Sequence, residues 1–283
     1  MVWSVLALAM LLSSCTHVDI RDASKNHVAK PQAEQDGCCR KLERYPKWMI
    51  RVLEPAAPLI GNVVARVKWR KGYLANQPES FARARASLRP LDIIIVGNKG
   101  RLTGHTLPGY FTHGAVYLGG EKNLRRLGIW NEPAVKPYQA AIRVGRTVIE
   151  SDQAGVHLST LEAVLAADHL VILRPRLSCR DARRQVTRNF FAHLGERFDF
   201  HFDTSEDRRL FCVEMIGHVI PGLDLPQREI YGRKSIVPDD VLLQSIKGQL
   251  PLDLVLYLRG TRGTWQQRDG RALIADIDAY WKK

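Results

Sequence analysis

The sequence predicts an α+β fold, and three observations support this. Short apolar runs that end at Gly or Pro follow one another through the middle of the chain, which is typical of several strands in series. A helix with apolar residues at helical spacing comes after them, and a short apolar helix and another strand follow it. Strands that precede the helices, rather than alternate with them, favour α+β over a doubly wound sheet.

The elements can be assigned in chain order. Residues 39–77 suggest helical pieces broken at Pro55 and Pro58, inside an N-terminal helical segment 38–87. Strands are expected at 91–96, 113–118, 147–151, 155–158, 169–174 and 252–258. Helices are expected at 161–167, 180–194, 210–220 and 239–246, and a C-terminal helix in 261–283. The insertion 120–145, with its Arg, Trp and Pro residues, is expected as an exposed excursion that helps to choose the substrate, or as a plain loop extension.

The N-terminal residues predict that the protein is exported from the cytoplasm. Residues 2–12 are almost wholly apolar, about the length of a signal-peptide core, and Leu12-Ser13-Ser14-Cys15 resembles a bacterial lipobox. A signal peptide 1–15 would then end at a lipidated Cys15, followed by a polar tether 16–37, and Thr16 would suggest the outer membrane in a Gram-negative host. A basic residue before the apolar run is missing, so a plain secretory signal or a buried N-terminal helix stays open.

The composition of the chain limits the kinds of partner that it is expected to bind. The chain carries 42 Lys+Arg against 29 Asp+Glu, a formal charge of +13, which favours anionic surroundings such as lipid headgroups or a wall polymer. No nucleic-acid fold signature accompanies this charge, so no nucleic-acid partner is expected. Of the five Cys, adjacent Cys38 and Cys39 are poorly placed to pair with each other, whereas either could pair with Cys179. No Cys/His spacing suggests zinc, and no cofactor is expected.

Three polar residues interrupt the apolar pattern where chemistry could occur. His113 opens a strand, Glu150 lies inside one, and Cys212 lies in the first turn of an apolar helix, where the helix dipole stabilises a thiolate. A His can take the proton of such a thiol, and a third group can orient its ring. Taken singly, each residue could have a purely structural role: a buried inert Cys, a hydrogen-bonded strand-end His, or a Glu paired with Arg.

Together these residues stand in runs that resemble the circularly permuted NlpC/P60-like hydrolases, and most closely their YiiX/YaeF group. Three runs carry the resemblance over roughly residues 88–260: Thr112-His113-Gly114-Ala115-Val116-Tyr117-Leu118-Gly119, then Val148-Ile149-Glu150-Ser151 with Gly155-Val156, then Gly195-Glu196-Arg197-Phe198-Asp199-Phe200 with Asp203, Asp207 and Leu210-Phe211-Cys212-Val213-Glu214-Met215-Ile216. The order His, Glu, Cys is the permuted order, and the cluster is more specific than any one motif.

The resemblance implies a papain-like core, with an antiparallel, small barrel-like sheet packed on the nucleophile helix. It implies Cys212 as nucleophile, His113 as base and Glu150 as the orienting group, so the three side chains should converge. Two positions depart from the family pattern: Val213 replaces the usual Ser, and Phe198 the usual Tyr. Glu214 is expected to be structural and to accept backbone N–H bonds.

The predicted function is a membrane-anchored cysteine hydrolase or acyltransferase of the cell envelope. It would act on an amide or ester of a wall peptide or a lipid acyl group through an acyl-thioester. The alternative is a catalytically silent envelope lipoprotein whose basic surface binds an anionic polymer.

Overall fold

The computed structural model describes residues 42–43, 45–106, 108–177, 179–205 and 209–282. The described strands are β1 (Ile93–Gly97), β2 (His113–Tyr117), β3 (Arg146–Asp152), β4 (Gly155–Thr160), β5 (His169–Pro175), β6 (Gln227–Ile230), β7 (Arg233–Ile236), β8 (Leu252–Thr261) and β9 (Thr264–Arg268). The described helices are α1 (Lys47–Leu53), α2 (Ala57–Arg66), α3 (Pro78–Ser87), α4 (Thr103–Thr106), α5 (Glu121–Leu127), α6 (Gln139–Arg143), α7 (Leu161–Leu165), α8 (Arg180–Ala192), α9 (Cys212–Val219), α10 (Pro238–Ile246) and α11 (Gly270–Trp281). The predicted signal peptide 1–15 with Cys15, the tether 16–37, and Cys38 and Cys39 lie outside these residues.

A seven-stranded sheet organises the fold, in the order β4-β3-β2-β1-β5-β8-β9, and β6 pairs with β7 in a separate hairpin. Every pairing is antiparallel, which confirms the α+β prediction. The expected barrel-like closure is wrong. Strands β4 and β9 are the two edges of the sheet and do not pair with each other, so the sheet stays open.

Helices cover both faces of this sheet, and the central strands are therefore apolar at successive positions. Ile93 and Ile95 point into a core shared with α8, α9 and α10, whereas Ile94 and Val96 point into a second core shared with α3 and α7. All four side chains are buried. The unbroken apolar run of β1 follows from this two-sided burial.

The N-terminal segment breaks at the two predicted prolines. Helix α1 ends at Leu53, a 3₁₀ turn at Glu54–Ala56 contains Pro55, and α2 starts at Ala57 with Pro58 in its first turn. Proline is tolerated there because the first N–H groups of a helix have no intrahelical partner.

The insertion 120–145 differs from its prediction as an exposed excursion. It contains α5 and α6, and its residues Leu124, Trp130, Val135 and Ile142 are buried in the main core. None of its residues lines the cavity that contains Cys212, so the cavity gives no support to the predicted role in choosing the substrate. Apolar side chains spaced through a charged segment were the signal of this packing.

The C-terminal region also differs from the sequence prediction. Strand β8 continues to Thr261, and a tight turn leads into β9 before α11 starts at Gly270. Residues 261–268 are therefore strand and turn, and the helix begins later than expected. Among the described residues, no helix has the length and apolar character needed to cross a membrane.

Candidate active site

Cys212 is the first residue of α9 and follows Phe211, whose backbone is extended. The cysteine is 5% exposed, and it is the free cysteine of the described residues because Cys179 is disulfide-bonded. Glu214 lies two residues further along the helix and accepts a hydrogen bond from the backbone N–H of Phe211 at 3.1 Å. The expected structural role of Glu214 is confirmed, since this bond holds the turn that presents the sulfur.

Strand β3 also holds in place the backbone segment that precedes Cys212. The hydroxyl of Ser151 donates to the carbonyl oxygen of Leu210 at 2.5 Å, and Ser151 is fully buried. Because Glu150 precedes Ser151 on β3, the strand that carries the carboxylate also fixes the segment leading to the nucleophile candidate.

His113 lies between the other two predicted residues. It is the first residue of β2, and its Nε2 lies 2.7 Å from Oε2 of Glu150 on the neighbouring strand β3. The Cys212 side chain lines the same cavity and is close enough to the His113 side chain to raise its pKa. Since Nε2 faces Glu150, Nδ1 is the ring nitrogen left for the sulfur. The structure thus brings together all three residues that the sequence singled out.

The charges of this group favour an ion pair. Burial by itself lowers the pKa of His113, but hydrogen bonds with Cys212 and Glu150 and the nearby negative charges outweigh it and raise the pKa well above its ordinary value. Burial by itself raises the pKa of Glu150, but the hydrogen bond and charge of His113, helped by Ser159 and His157, lower it to about 2. The group therefore holds a carboxylate next to an imidazolium.

Gly114 lets α9 approach the sheet closely. A Cβ on this residue would lie 2.9 Å from Cγ1 of Val213 and 3.2 Å from Cδ1 of Ile216, both on α9. Val213, where the motif resemblance led us to expect Ser, is buried in this contact. The absence of a side chain at 114 thus sets the distance between the strand of His113 and the helix of Cys212.

A second histidine lies behind Glu150. His157 on β4 stands opposite Glu150 in the register of the sheet, with Nε2 3.7 Å from Oε1 of Glu150 and 3.1 Å from Oγ of Ser159. Together with Asp152, Glu150 and His157 place ligand atoms within 4.8 Å of one another, which is a spacing that a metal ion can use. Because Oε2 of Glu150 is in contact with Nε2 of His113, we assign the Glu150 carboxylate to His113 rather than to a metal ion.

The three residues line a cavity of about 650 Å³. Its walls are mostly apolar and include Phe198, Phe202 and Phe211. Phe198, where the motif resemblance led us to expect Tyr, packs edge-on against Phe200 and Phe202 with ring centroids 5.0 and 5.6 Å away. The site is therefore a thiol and an imidazole at the bottom of an apolar cavity, an arrangement suited to acyl transfer.

Sequence reasoning missed one residue that supports the site. Asp239, in the first turn of α10, is fully buried and accepts hydrogen bonds from the backbone N–H groups of Tyr110 and Phe111 at 2.7 and 2.8 Å. It also accepts one from Nε1 of Trp281 at 2.8 Å. Burial raises the pKa of Asp239 to about 6 despite these bonds. Asp239 thus fixes the segment that leads into His113. In the sequence, an acidic residue directly after Pro238 indicates only the start of a helix.

Comparison with known proteins identifies the family. No curated protein and no solved structure matches the chain. Residues 87–266 match the model of a family described as permuted papain-like amidase enzymes, YaeF/YiiX, C92 family. The match contains the Cys, His and Glu positions described above and the seven-stranded sheet up to the middle of β9. The chain therefore belongs to the C92 family of permuted papain-like amidases.

Proposed function

We propose that the chain is a thiol amidase in which Cys212 is the nucleophile, His113 the base and acid, and Glu150 the group that orients His113. The observation that carries this proposal is the 2.7 Å contact between Nε2 of His113 and Glu150 in the cavity that also contains Cys212, whose side chain is close enough to raise the pKa of His113. A histidine fixed by a carboxylate on one nitrogen can exchange a proton with a thiol on the other.

The reaction would proceed in two steps. The Cys212 sulfur, whose proton has passed to His113, attacks the carbonyl carbon of an amide, the C–N bond breaks, and His113 gives that proton to the leaving nitrogen. Water then attacks the thioester carbon and gives a proton to His113, and the C–S bond breaks to release the acid, so that the Cys212 sulfur and the protonated His113 return to their starting state. The backbone N–H of Cys212, in the first turn of α9, is our candidate donor to the carbonyl oxygen in both steps.

Variants of the three residues test the mechanism. We expect Cys212→Ala to abolish turnover of wall-peptide fragments and N-acyl amides, and His113→Ala to lower kcat/KM by about 100-fold or more, the usual contribution of a general base. Glu150→Gln should only weaken turnover, since it orients rather than reacts. Hydroxylamine should intercept the thioester of wild-type Cys212 and release the acyl group as a hydroxamate.

The matched control is His105→Ala, since His105 is an exposed histidine outside the cavity. It should leave kcat/KM unchanged. Full activity of Cys212→Ala would rule out the mechanism. A wild-type protein that turns over neither substrate class and resists thiol-directed acyl probes at Cys212 would favour the silent lipoprotein instead.

The proposal extends to the location of the enzyme. The apolar run that ends at Leu12-Ser13-Ser14-Cys15 supports a lipid anchor in the cell envelope, where wall peptides and lipid acyl groups are the available substrates. Cys15→Ala should move the protein from the membrane to the soluble exported fraction, measured by fractionation and by acyl labelling. Unchanged fractionation together with an unlabelled wild type would contradict the anchor.

A further inference from the structure

The exposed apolar side chains of this protein are concentrated in one place. Among the described residues, all the large hydrophobic side chains that are exposed, apart from Val144, lie between residues 45 and 69. The most exposed of those in α1 and α2 are Trp48 (69%), Val52 (70%), Leu59 (74%) and Val63 (63%). Soluble surfaces rarely gather so much apolar area without a partner.

These residues form one face of a two-helix element. Trp48 and Val52 are four residues apart on α1, and Leu59 and Val63 are four residues apart on α2, so each pair lies on one side of its helix. None of the four lines the active-site cavity. We call these four residues the outer face.

The opposite side of the same helices forms the wall of the active-site cavity. Ile50 and Leu53 of α1 and Ile60 and Val64 of α2 line the cavity that holds Cys212 and His113. Gly61 rests on the ring of Phe200, because a Cβ at that residue would lie 2.4 Å from Cδ1 of the ring. The two helices therefore stand between the cavity and the exposed apolar outer face.

The charge around the outer face is basic. Between residues 45 and 71 the sequence contains the bases Lys47, Arg51, Arg66, Lys68, Arg70 and Lys71 and the single acid Glu54. Glu54 pairs with Arg233 and Arg70 pairs with Asp168, so the excess positive charge of this stretch comes from the other five bases. Arg66, Lys68 and Lys71 are exposed at the end of α2 and just beyond it. A segment with an apolar face, an exposed Trp and an excess of Lys and Arg has the composition of helices that lie in the interface of an anionic membrane.

We propose that α1 and α2 dock on an anionic lipid bilayer through the outer face, with the active-site cavity directly behind them. The exposed apolar side chains, Trp48 among them, favour a partner with a hydrocarbon interior, and the Lys and Arg residues of the segment favour an anionic surface; an anionic bilayer offers both. The docking itself does not depend on the chemistry of Cys212. Its consequence, that the substrate enters from the membrane and carries an acyl chain, rests on the function proposed above.

Trp48 provides a test that an additional membrane anchor does not obscure. The full-length protein is mixed with vesicles of phosphatidylcholine and phosphatidylglycerol that carry brominated acyl chains, and quenching is compared between the wild type and Trp48→Phe. We expect a Trp48-dependent quenched component that is lost in vesicles of phosphatidylcholine alone and weakened by salt, since cations attract the anionic surface. The triple variant Val52→Ser/Leu59→Ser/Val63→Ser should lose the quenching of Trp48.

Two controls separate docking through the outer face from general surface hydrophobicity and from catalysis. Val144→Ser removes an equally exposed apolar side chain elsewhere and should keep the quenching. Cys212→Ala should also keep it, so a failure of the proposed chemistry would leave docking intact. Absence of the Trp48-dependent component on anionic vesicles overturns the proposal. A lipid-independent shift of Trp48 emission that grows with protein concentration also overturns it, because the face would then be covered by a second copy.

Discussion

At the scale of single residues, Glu150 and His113 stabilise each other's charged forms. The pKa of Glu150 falls to about 2, against about 4.3 for an unperturbed Glu, so its contribution to stability is present above the unfolded value and is lost as pH falls towards 2. The pKa of His113 is raised, so its contribution is complete below about 6.5 and is lost as pH rises through the raised value. The His113–Glu150 ion pair is therefore intact at pH values between the lowered pKa of Glu150 and the raised pKa of His113.

Glu150→Gln therefore tests the electrostatics as well as the activity. Removing the carboxylate removes a charge that favours the imidazolium, so the pKa of His113 should fall, and the alkaline limb of kcat/KM should move to lower pH by about one unit or more. The measurement is a pH profile of kcat/KM for wild type and variant on one amide substrate. Asp152→Asn, which removes another carboxylate from the cavity wall, should leave the limb nearly in place. An unmoved limb in Glu150→Gln would show that Glu150 does not control His113.

At the scale of elements, the contact between β2 and α9 positions the site. Gly114→Ala would place a methyl group 2.9 Å from Val213 and 3.2 Å from Ile216, so α9 must move away from the strand. We expect a loss of about 1–3 kcal/mol in the free energy of unfolding from overpacking. We also expect a fall of about 100-fold in kcat/KM, because a shift of about 1 Å separates the reacting groups.

Gly120→Ala is the matched control for Gly114→Ala. A Cβ at Gly120 has its nearest neighbour 3.9 Å away, and the φ of −85° there suits any residue, so both quantities should stay near wild type. The double variant Gly114→Ala/Val213→Ala makes room for the methyl group and should recover part of the activity. Wild-type activity in Gly114→Ala would mean that the distance between strand and helix is not critical.

The elements also show which parts of the fold the sequence could predict. Strand β1 and helix α9 were predictable because burial on both faces leaves a continuous apolar signal. The hairpin of β6 and β7 gave little signal, since its residues are mostly polar and only partly buried and its turn is formed by Tyr231 and Gly232, both with positive φ. The three candidate site residues were predictable because each stands in a short local motif and the motifs follow one another in the permuted order. Asp239 was not predicted because the backbone N–H groups that it accepts from, those of Tyr110 and Phe111, lie about 130 residues away along the chain.

At the scale of the whole molecule, α1 and α2 are much less buried than the central strands of the sheet. Between residues 45 and 66, Ala65 is the buried hydrophobic residue among the described side chains. Besides the packing of Gly61 on Phe200, polar contacts attach α1 and the residues before it to the β6–β7 hairpin. Arg233 pairs with Glu54, the hydroxyl of Tyr231 accepts from the backbone N–H of Tyr45 at 2.8 Å, and the backbone N–H of Tyr231 donates to Glu43 at 2.8 Å. An element with little buried apolar area opens at a low free-energy cost.

We therefore expect α1 and α2 to open independently of the sheet, and Arg233→Gln to promote that opening. A partly exposed ion pair contributes about 0.2–1 kcal/mol, so amide hydrogen exchange in residues 47–66 should accelerate by up to about fivefold. Exchange in β1 and β5, measured in the same mass-spectrometry experiment, should not change. Arg176→Gln breaks an exposed Arg–Asp pair at β8 and should leave exchange in residues 47–66 as in the wild type. If residues 47–66 exchange as slowly as β1 in the wild type, the helices and the sheet open as one unit, and access to the cavity does not depend on the Arg233–Glu54 pair.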